Sequence, residues 1–124
     1  MKVRKVYTKP NTVLSKRIEA WVFENNIECI EIPFDDEFDE QIQGLVVLNQ
    51  NQDVERDILE IRKSFDEKQK PVQRIDINGT LMVGVSNFSL WLERNGCESI
   101  LVVGSDSLCE NPNLERYFSH MKLN

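Results

Sequence analysis

The chain predicts a three-layer α/β domain built on a mainly parallel, five-stranded sheet. Two observations carry that expectation. Short apolar runs, of which GLVVL and SILVVG are the most continuous, alternate with stretches whose apolar residues recur every three to four positions. The resulting order, βαββαβαβα, is one that right-handed crossovers turn into a parallel sheet with helices on its faces. At 124 residues the length allows one domain of this kind, covering 1–124.

The first strand is VRKVYT, stopped by Lys9-Pro10-Asn11, because proline biases its predecessor toward extended geometry and Asn or Thr can cap the next helix. That helix covers about residues 12–26. Leu14, Ile18, Trp21 and Val22 form its buried face, and Asn25-Asn26 ends it. IECIEIPF is a second strand of imperfect alternation, each face mixing apolar residues with glutamates. After it, PFDDEFDEQIQ has room for one short helical turn carrying Phe34, Phe38 and Ile42 on one side.

LVVLN is a nearly unbroken apolar run, the mark of a strand covered on both faces, and it is expected in the middle of the sheet beside the first strand. A helix over about 53–68 comes next, with Val54, Ile58, Ile61 and Phe65 inward and an acidic first turn that suits the helix dipole. Lys70-Pro71 ends it, and VQRIDI is the fourth strand. The run NGTLMVGVSNF reads two ways. Asn78-Gly79 is a hairpin signal that would make TLMVGV an antiparallel strand. The reading preferred is a long strand-to-helix loop in which Ser86 caps a helix through Asn95, with Gly96 just past its end. ESILVVG is the last strand, and a terminal helix begins near Asn113.

A composition of 40% hydrophobic and 29% charged residues is that of a soluble globular protein. The net charge of −6 disfavours nucleic acid as a partner. Lys2, Arg4, Lys5, Lys9, Lys16 and Arg17 cluster near the N-terminus and Asp35, Asp36, Glu37, Asp39 and Glu40 form an acidic stretch; both read as solvated charge. No leader-like apolar segment comes after the basic start and no apolar run is long enough to span a bilayer, so a cytoplasmic location is expected and a membrane partner is not. Cys29, Cys97 and Cys109 show no CxxC spacing, so reduced thiols are expected rather than disulfides or a zinc knuckle.

Residues 6–33, with YTKPN leading into a helix and an Ile- and Glu-rich strand, resemble the opening of a glutaredoxin. Thr12 and Ser15 stand where that family carries its two cysteines, which removes the redox chemistry. Residues 44–118, running LVVLNQ, a helix, KPVQRIDI, WLERNG and ILVVGSDSLCENP, resemble in layout the Rossmann-like molybdenum-carrier and related SLOG nucleotide-binding proteins. Here TKPNTVLS and QNQDVE replace the Gly-rich loop and the Gly-Thr pair of those families, so the resemblance implies the fold and not the ligand.

In an open parallel sheet a ligand lies beyond the carboxyl ends of the strands, where the strand order reverses. For a flavodoxin-like order of 2-1-3-4-5 that crevice falls between the first and third strands. Thr8, Lys9, Asn11 and Thr12 would face Asn49, Asn51 and Asp53, with Gly104, Ser105, Asp106 and Ser107 contributing from the fifth. Lys9 and the first helix N-terminus would suit a phosphate or carboxylate, although TKPNT has no glycine with which to wrap a phosphate. The expected function is binding of an anionic small molecule or nucleotide, without catalysis. The alternatives are a protein-interaction module, such as a homodimer through an edge strand or exposed helix, and a redox-inactive thioredoxin-like scaffold. No motif indicates a cofactor. His120 is read as a surface or packing residue, Asp35 and Asp36 as solvated rather than Mg²⁺ ligands, Trp21 and Trp91 as core, and Cys109 as the exposed thiol.

Overall fold

A computed structural model of the chain describes residues 3–33, 41–51 and 55–123. The expectations for Lys2, Phe34, Phe38, Asp53, Val54 and the acidic stretch from Asp35 to Glu40 fall outside those residues.

Five strands form one parallel sheet: β1 (Lys5–Thr8), β2 (Glu28–Glu31), β3 (Gly44–Asn49), β4 (Val72–Asp76) and β5 (Ser99–Val103). The helices between and after them are α1 (Val13–Glu24), α2 (Arg56–Glu67), α3 (Leu81–Asn95) and α4 (Asn113–His120), with a 3₁₀ turn over Asp106–Glu110. The α/β Rossmann-like class is therefore as the sequence predicts, and the parallel sheet excludes the thioredoxin-like alternative.

The spatial order is β2-β1-β5-β3-β4. This corrects the expected 2-1-3-4-5: β5 is inserted between β1 and β3, pairing Val6 with Ile100 on one side and Val46 with Val102 on the other. The cause is burial. Every residue of SILVV is buried, as is every residue of GLVVLN, and only an interior position covers both faces of such a strand. The mixed sequences ECIE and VQRID take the two edges, where half-exposed residues are tolerated.

Right-handed crossovers then fix the faces. The steps from β1 to β2 and from β4 to β5 run the same way along the sheet, so α1 and α3 share one face, where α4 joins them over a core containing Ile18, Trp21, Phe88, Trp91, Leu114 and Phe118. The step from β3 to β4 runs the other way and puts α2 on the opposite face, with Ile58, Ile61 and Phe65 packed on Tyr7, Val47 and Leu101. Trp21 stacks on Phe118 with ring centroids 4.7 Å apart and donates its Nε1–H to the Met121 carbonyl at 3.0 Å, tying α1 to the chain's end.

α1 starts at a capping box: Thr12 Oγ1 accepts from Ser15 N at 2.9 Å and Ser15 Oγ accepts from Thr12 N at 3.1 Å. It ends at Asn25, with Asn26 left-handed at φ 59°. After β4 the chain makes neither a hairpin nor a long loop. Asp76 Oδ1 accepts from Asn78 N and the Asp76 carbonyl from Gly79 N, an Asx turn that starts α3 at Leu81. Ser86 is consequently inside the helix rather than at its cap, whereas Gly96 does close it, left-handed at φ 57°. LMVGV is the first part of α3, and α4 lies over it. A Cβ on Gly84 would stand 2.8 Å from Tyr117 Cε1, and Tyr117 donates its hydroxyl to the Gly79 carbonyl at 2.9 Å.

Candidate functional site

The corrected order moves the crevice. β1 and β5 both lead into helices on the same face, so nothing opens between them. β3 leads to α2 and its neighbour β5 to α4 on the opposite face, and the two chain paths part at their carboxyl ends, the condition for a ligand crevice in an open sheet. A cavity of about 330 Å³ lies there, lined by Gln50, Glu55, Ser105, Asp106, Ser107 and Leu108.

Of the eleven residues expected around the crevice, Asp53 lies outside the described residues and the other ten separate into groups. Ser105, Asp106 and Ser107 line the cavity, and Gly104 supports its floor: a Cβ there would come within 2.7 Å of Leu108 Cδ1, 2.9 Å of Leu14 Cδ2 and 2.9 Å of the Leu48 carbonyl oxygen. Thr8 and Asn49 are 1% exposed, and among the described residues no buried side-chain nitrogen or oxygen lacks a hydrogen-bond partner. Asn11 is a left-handed turn residue at φ 58°, and Thr12 is the cap of α1. Asn51, also left-handed at φ 52°, accepts from Asn78 Nδ2 at 3.0 Å.

Lys9 and the start of α1, the pair that suggested an anion, are both engaged. Lys9 Nζ bonds Asp57 in the first turn of α2. Burial raises the Asp57 pKa, but the Lys9 bond and charge and the Ile58 N–H outweigh it, and the carboxyl sits below its ordinary value. At α1, Asp106 Oδ1 accepts the Leu14 N–H at 3.0 Å while Thr12 takes that of Ser15. A carboxylate of the chain itself thus occupies the place an anionic ligand would take.

Sequence reasoning missed Gln50 and Glu55, and with them a set of amides gathered from the ends of β3 and β4, the close of the 3₁₀ turn and the start of α4. Gln50 Nε2 donates to Ser107 Oγ at 3.3 Å, and Asn111 Nδ2 is shared between Gln50 Oε1 at 3.0 Å and Asn78 Oδ1 at 2.8 Å. Asn113 Nδ2 donates to the same Asn78 oxygen at 3.1 Å, and Ser105 Oγ and Ser107 Oγ lie 2.5 Å apart. The available signal was a density of Asn and Gln in the connections that come after strands, in QNQ, NG and NPN. The result is a wall of neutral donors and acceptors held in place by mutual bonds, of which Gln50, Ser105 and Ser107 line the cavity beside Glu55 and Asp106.

Elsewhere the charge and thiol chemistry is quiet. The remaining basic residues of the N-terminal cluster that carry ion pairs meet carboxylates: Arg4 with Glu98, Lys16 with Glu19 and Glu31, Arg17 with Glu115. Cys29 and Cys109 are both half-buried and Cys97 is buried, so Cys109 is not alone in its exposure. Burial first, and then Glu19 and Glu31, push the Cys29 thiol up to about 11. Burial also raises Cys109 in spite of the Arg17 charge. Among the described residues no three His, Cys, Asp or Glu side chains cluster to hold a metal ion, and no helix is long and apolar enough to cross a membrane. His120 is exposed on α4.

No protein-family model matches the chain, and no curated protein matches it in sequence. The fold does match a solved structure, that of a "putative molybdenum carrier protein" from Syntrophus aciditrophicus, with a TM-score of 0.69 over 97% of this chain and 92% of that one. Identity between the two is 9%, so the likeness is one of fold.

Proposed function

We propose that the protein is a noncatalytic small-molecule-binding domain of Rossmann-like fold whose ligand enters the crevice between β3 and β5. The observation that supports this reading is the cavity of about 330 Å³ at the point where the two chain paths diverge. That volume falls at the lower end of the range for small-ligand sites, about 300–1,000 Å³. Its lining selects for chemistry. Glu55 and Asp106 repel an anion and attract donors, and Gln50, Ser105 and Ser107 offer both donors and acceptors. The favoured ligand is a compact molecule rich in hydroxyl or amine groups, of nucleoside or polyol size.

A nucleotide is the second reading, supported by the helix N-terminus nearby. Its phosphate would have to displace Asp106 from Leu14 N, or Asp57 from Lys9. Thermal unfolding in the presence of adenosine, ribose, spermidine, AMP and molybdate separates these cases, because a ligand of the native state alone raises Tm by mass action. At about 100 times Kd the stabilisation is roughly 2.7 kcal/mol. The expected result is a rise with a donor-rich compound, lost in Asp106→Ala, and none with molybdate, whose charge opposes the two carboxylates. A rise with AMP but not with adenosine would transfer the assignment to the nucleotide. Silence across the panel would remove the small-molecule reading in favour of a protein-interaction module.

A further inference from the structure

A surface remote from the crevice has its own directional chemistry. β4 is an edge strand, bonded among the described residues only to β3. The Leu45 N–H donates to the Pro71 carbonyl at 3.0 Å and the Ile77 N–H to the Asn49 carbonyl at 2.9 Å, so the odd positions of this strand turn their backbone groups toward β3. Successive residues of a strand alternate in this respect, which aims the N–H and C=O groups of Val72 and Arg74 and the N–H of Asp76 out of the sheet, while the Asp76 carbonyl already accepts the Gly79 N–H. Beside this edge runs a stripe of α3 at i, i+4, i+7 spacing: Val83, Asn87 and Leu90. Val83 is 57% and Leu90 45% exposed, and a groove of about 160 Å³ separates Val83 and Asn87 from the edge strand.

We propose that β4 pairs antiparallel with β4 of a second copy about a two-fold axis at Ile75, joining two five-stranded sheets into one. Backbone polarity and charge together choose this register. Bonded antiparallel pairs require outward-facing residues to lie opposite one another, which keeps even positions against even ones. An axis at Arg74 would satisfy that rule but set two guanidinium groups face to face, and like charges directly opposite are destabilising. An axis at Ile75 instead opposes Arg74 to Asp76 of the second copy, twice, so the edge is complementary to itself. Ile75 and Ile77 point into the core under α3 and Val72 into the core under α2, so alternation puts Arg74 and Asp76 on the α2 side. The two-fold axis keeps both α3 helices on the other side, where Val83 and Leu90 of each copy close over the seam and an otherwise open strand edge is covered.

Sedimentation equilibrium of the full chain over a range of protein and NaCl concentrations tests the pairing, with circular dichroism confirming that each variant is folded. The expected result is a dimer that weakens with salt. Arg74→Glu should raise its dissociation constant on the order of tenfold or more, since two attractions become two repulsions. Arg74→Glu combined with Asp76→Lys should restore it. Val83→Glu, a change at an already exposed position, should weaken the dimer independently and serves if the β4 variants fail to fold. A monomer at every concentration, or a dimer indifferent to both Arg74→Glu and Val83→Glu, overturns the proposal. Loss on reversal without recovery in the double variant overturns the register about Ile75.

Discussion

The carboxyl ends of β1 and of β5 are built from similar parts and finish in different states. Each runs into a polar loop, a Ser or Thr that accepts a backbone N–H, and a helical turn. At β1 every feature that suggested a ligand is consumed within the chain: Lys9 by Asp57, 48 residues away, and the Leu14 N–H by Asp106, 92 residues away. At β5 the polar side chains sit where β3 diverges toward the opposite face, and an open volume remains. A cation beside a helix N-terminus therefore marks an anion site only where the fold brings no carboxylate of its own to it. The place to look is set by which strands are neighbours.

Gly104 is the hinge between the two regions, and breaking it gives the largest expected effect. In Gly104→Ala the new methyl group meets Leu14 from α1, Leu108 from the 3₁₀ turn and the Leu48 carbonyl of β3 all within 3 Å. Side chains can shift but the backbone oxygen cannot, so a loss of about 2–3 kcal/mol is expected in urea unfolding, with collapse of the crevice. A variant as stable as the wild type would show that the floor is not packed as described. Next comes the carboxylate that links the regions. Asp106→Ala leaves the Leu14 N–H without its acceptor and should cost about 1 kcal/mol, in the range of a lost helix cap. Asp106→Asn keeps an acceptor oxygen and should cost less than half as much. Equal losses in the two variants would mean that charge at the helix dipole, rather than the hydrogen bond, holds α1 to the β5 loop.

The legible part of the fold was its list of elements, because burial patterns repeat with the period of a strand or a helix and are written locally. Spatial order was not legible as a whole, although part of it was available: after its opening serine SILVV has no polar position to show to solvent, so it could not be the edge strand that 2-1-3-4-5 required. Once the two continuous runs are made neighbours in the interior, VQRID becomes an edge by elimination. The start of α3 was misjudged for a different reason. Asn78-Gly79 is a sound turn signal, but a turn does not determine whether a strand or a helix comes after it, and the helix depends on Tyr117 fitting over Gly84 from far along the chain. The candidate site was legible in the same uneven way. GSDS announced itself as a small polar loop after a strand, whereas the wall that includes Gln50, Asn78, Asn111 and Asn113 is assembled across separations of 33 to 61 residues, which no local pattern encodes.

The smallest expected effect sharpens the comparison most, because it separates the two regions in function. Lys9→Met removes the ion pair at β1 and leaves every residue lining the cavity in place. The pair is partly exposed, so its loss should cost under about 1 kcal/mol at neutral pH. The Asp57 carboxyl is held below its ordinary value of 3.8, so its contribution is present above that pH and is lost as pH falls through the lower folded-state value. Urea unfolding as a function of pH should therefore show wild type and Lys9→Met converging in acid, and a gap that persists unchanged below that range would mean that the lysine acts through packing instead. The same variant should bind any ligand of the β3/β5 crevice as the wild type does. If Lys9→Met abolishes that binding, the two strand ends form one site, and the self-satisfaction of the β1 end is a resting state that the ligand undoes.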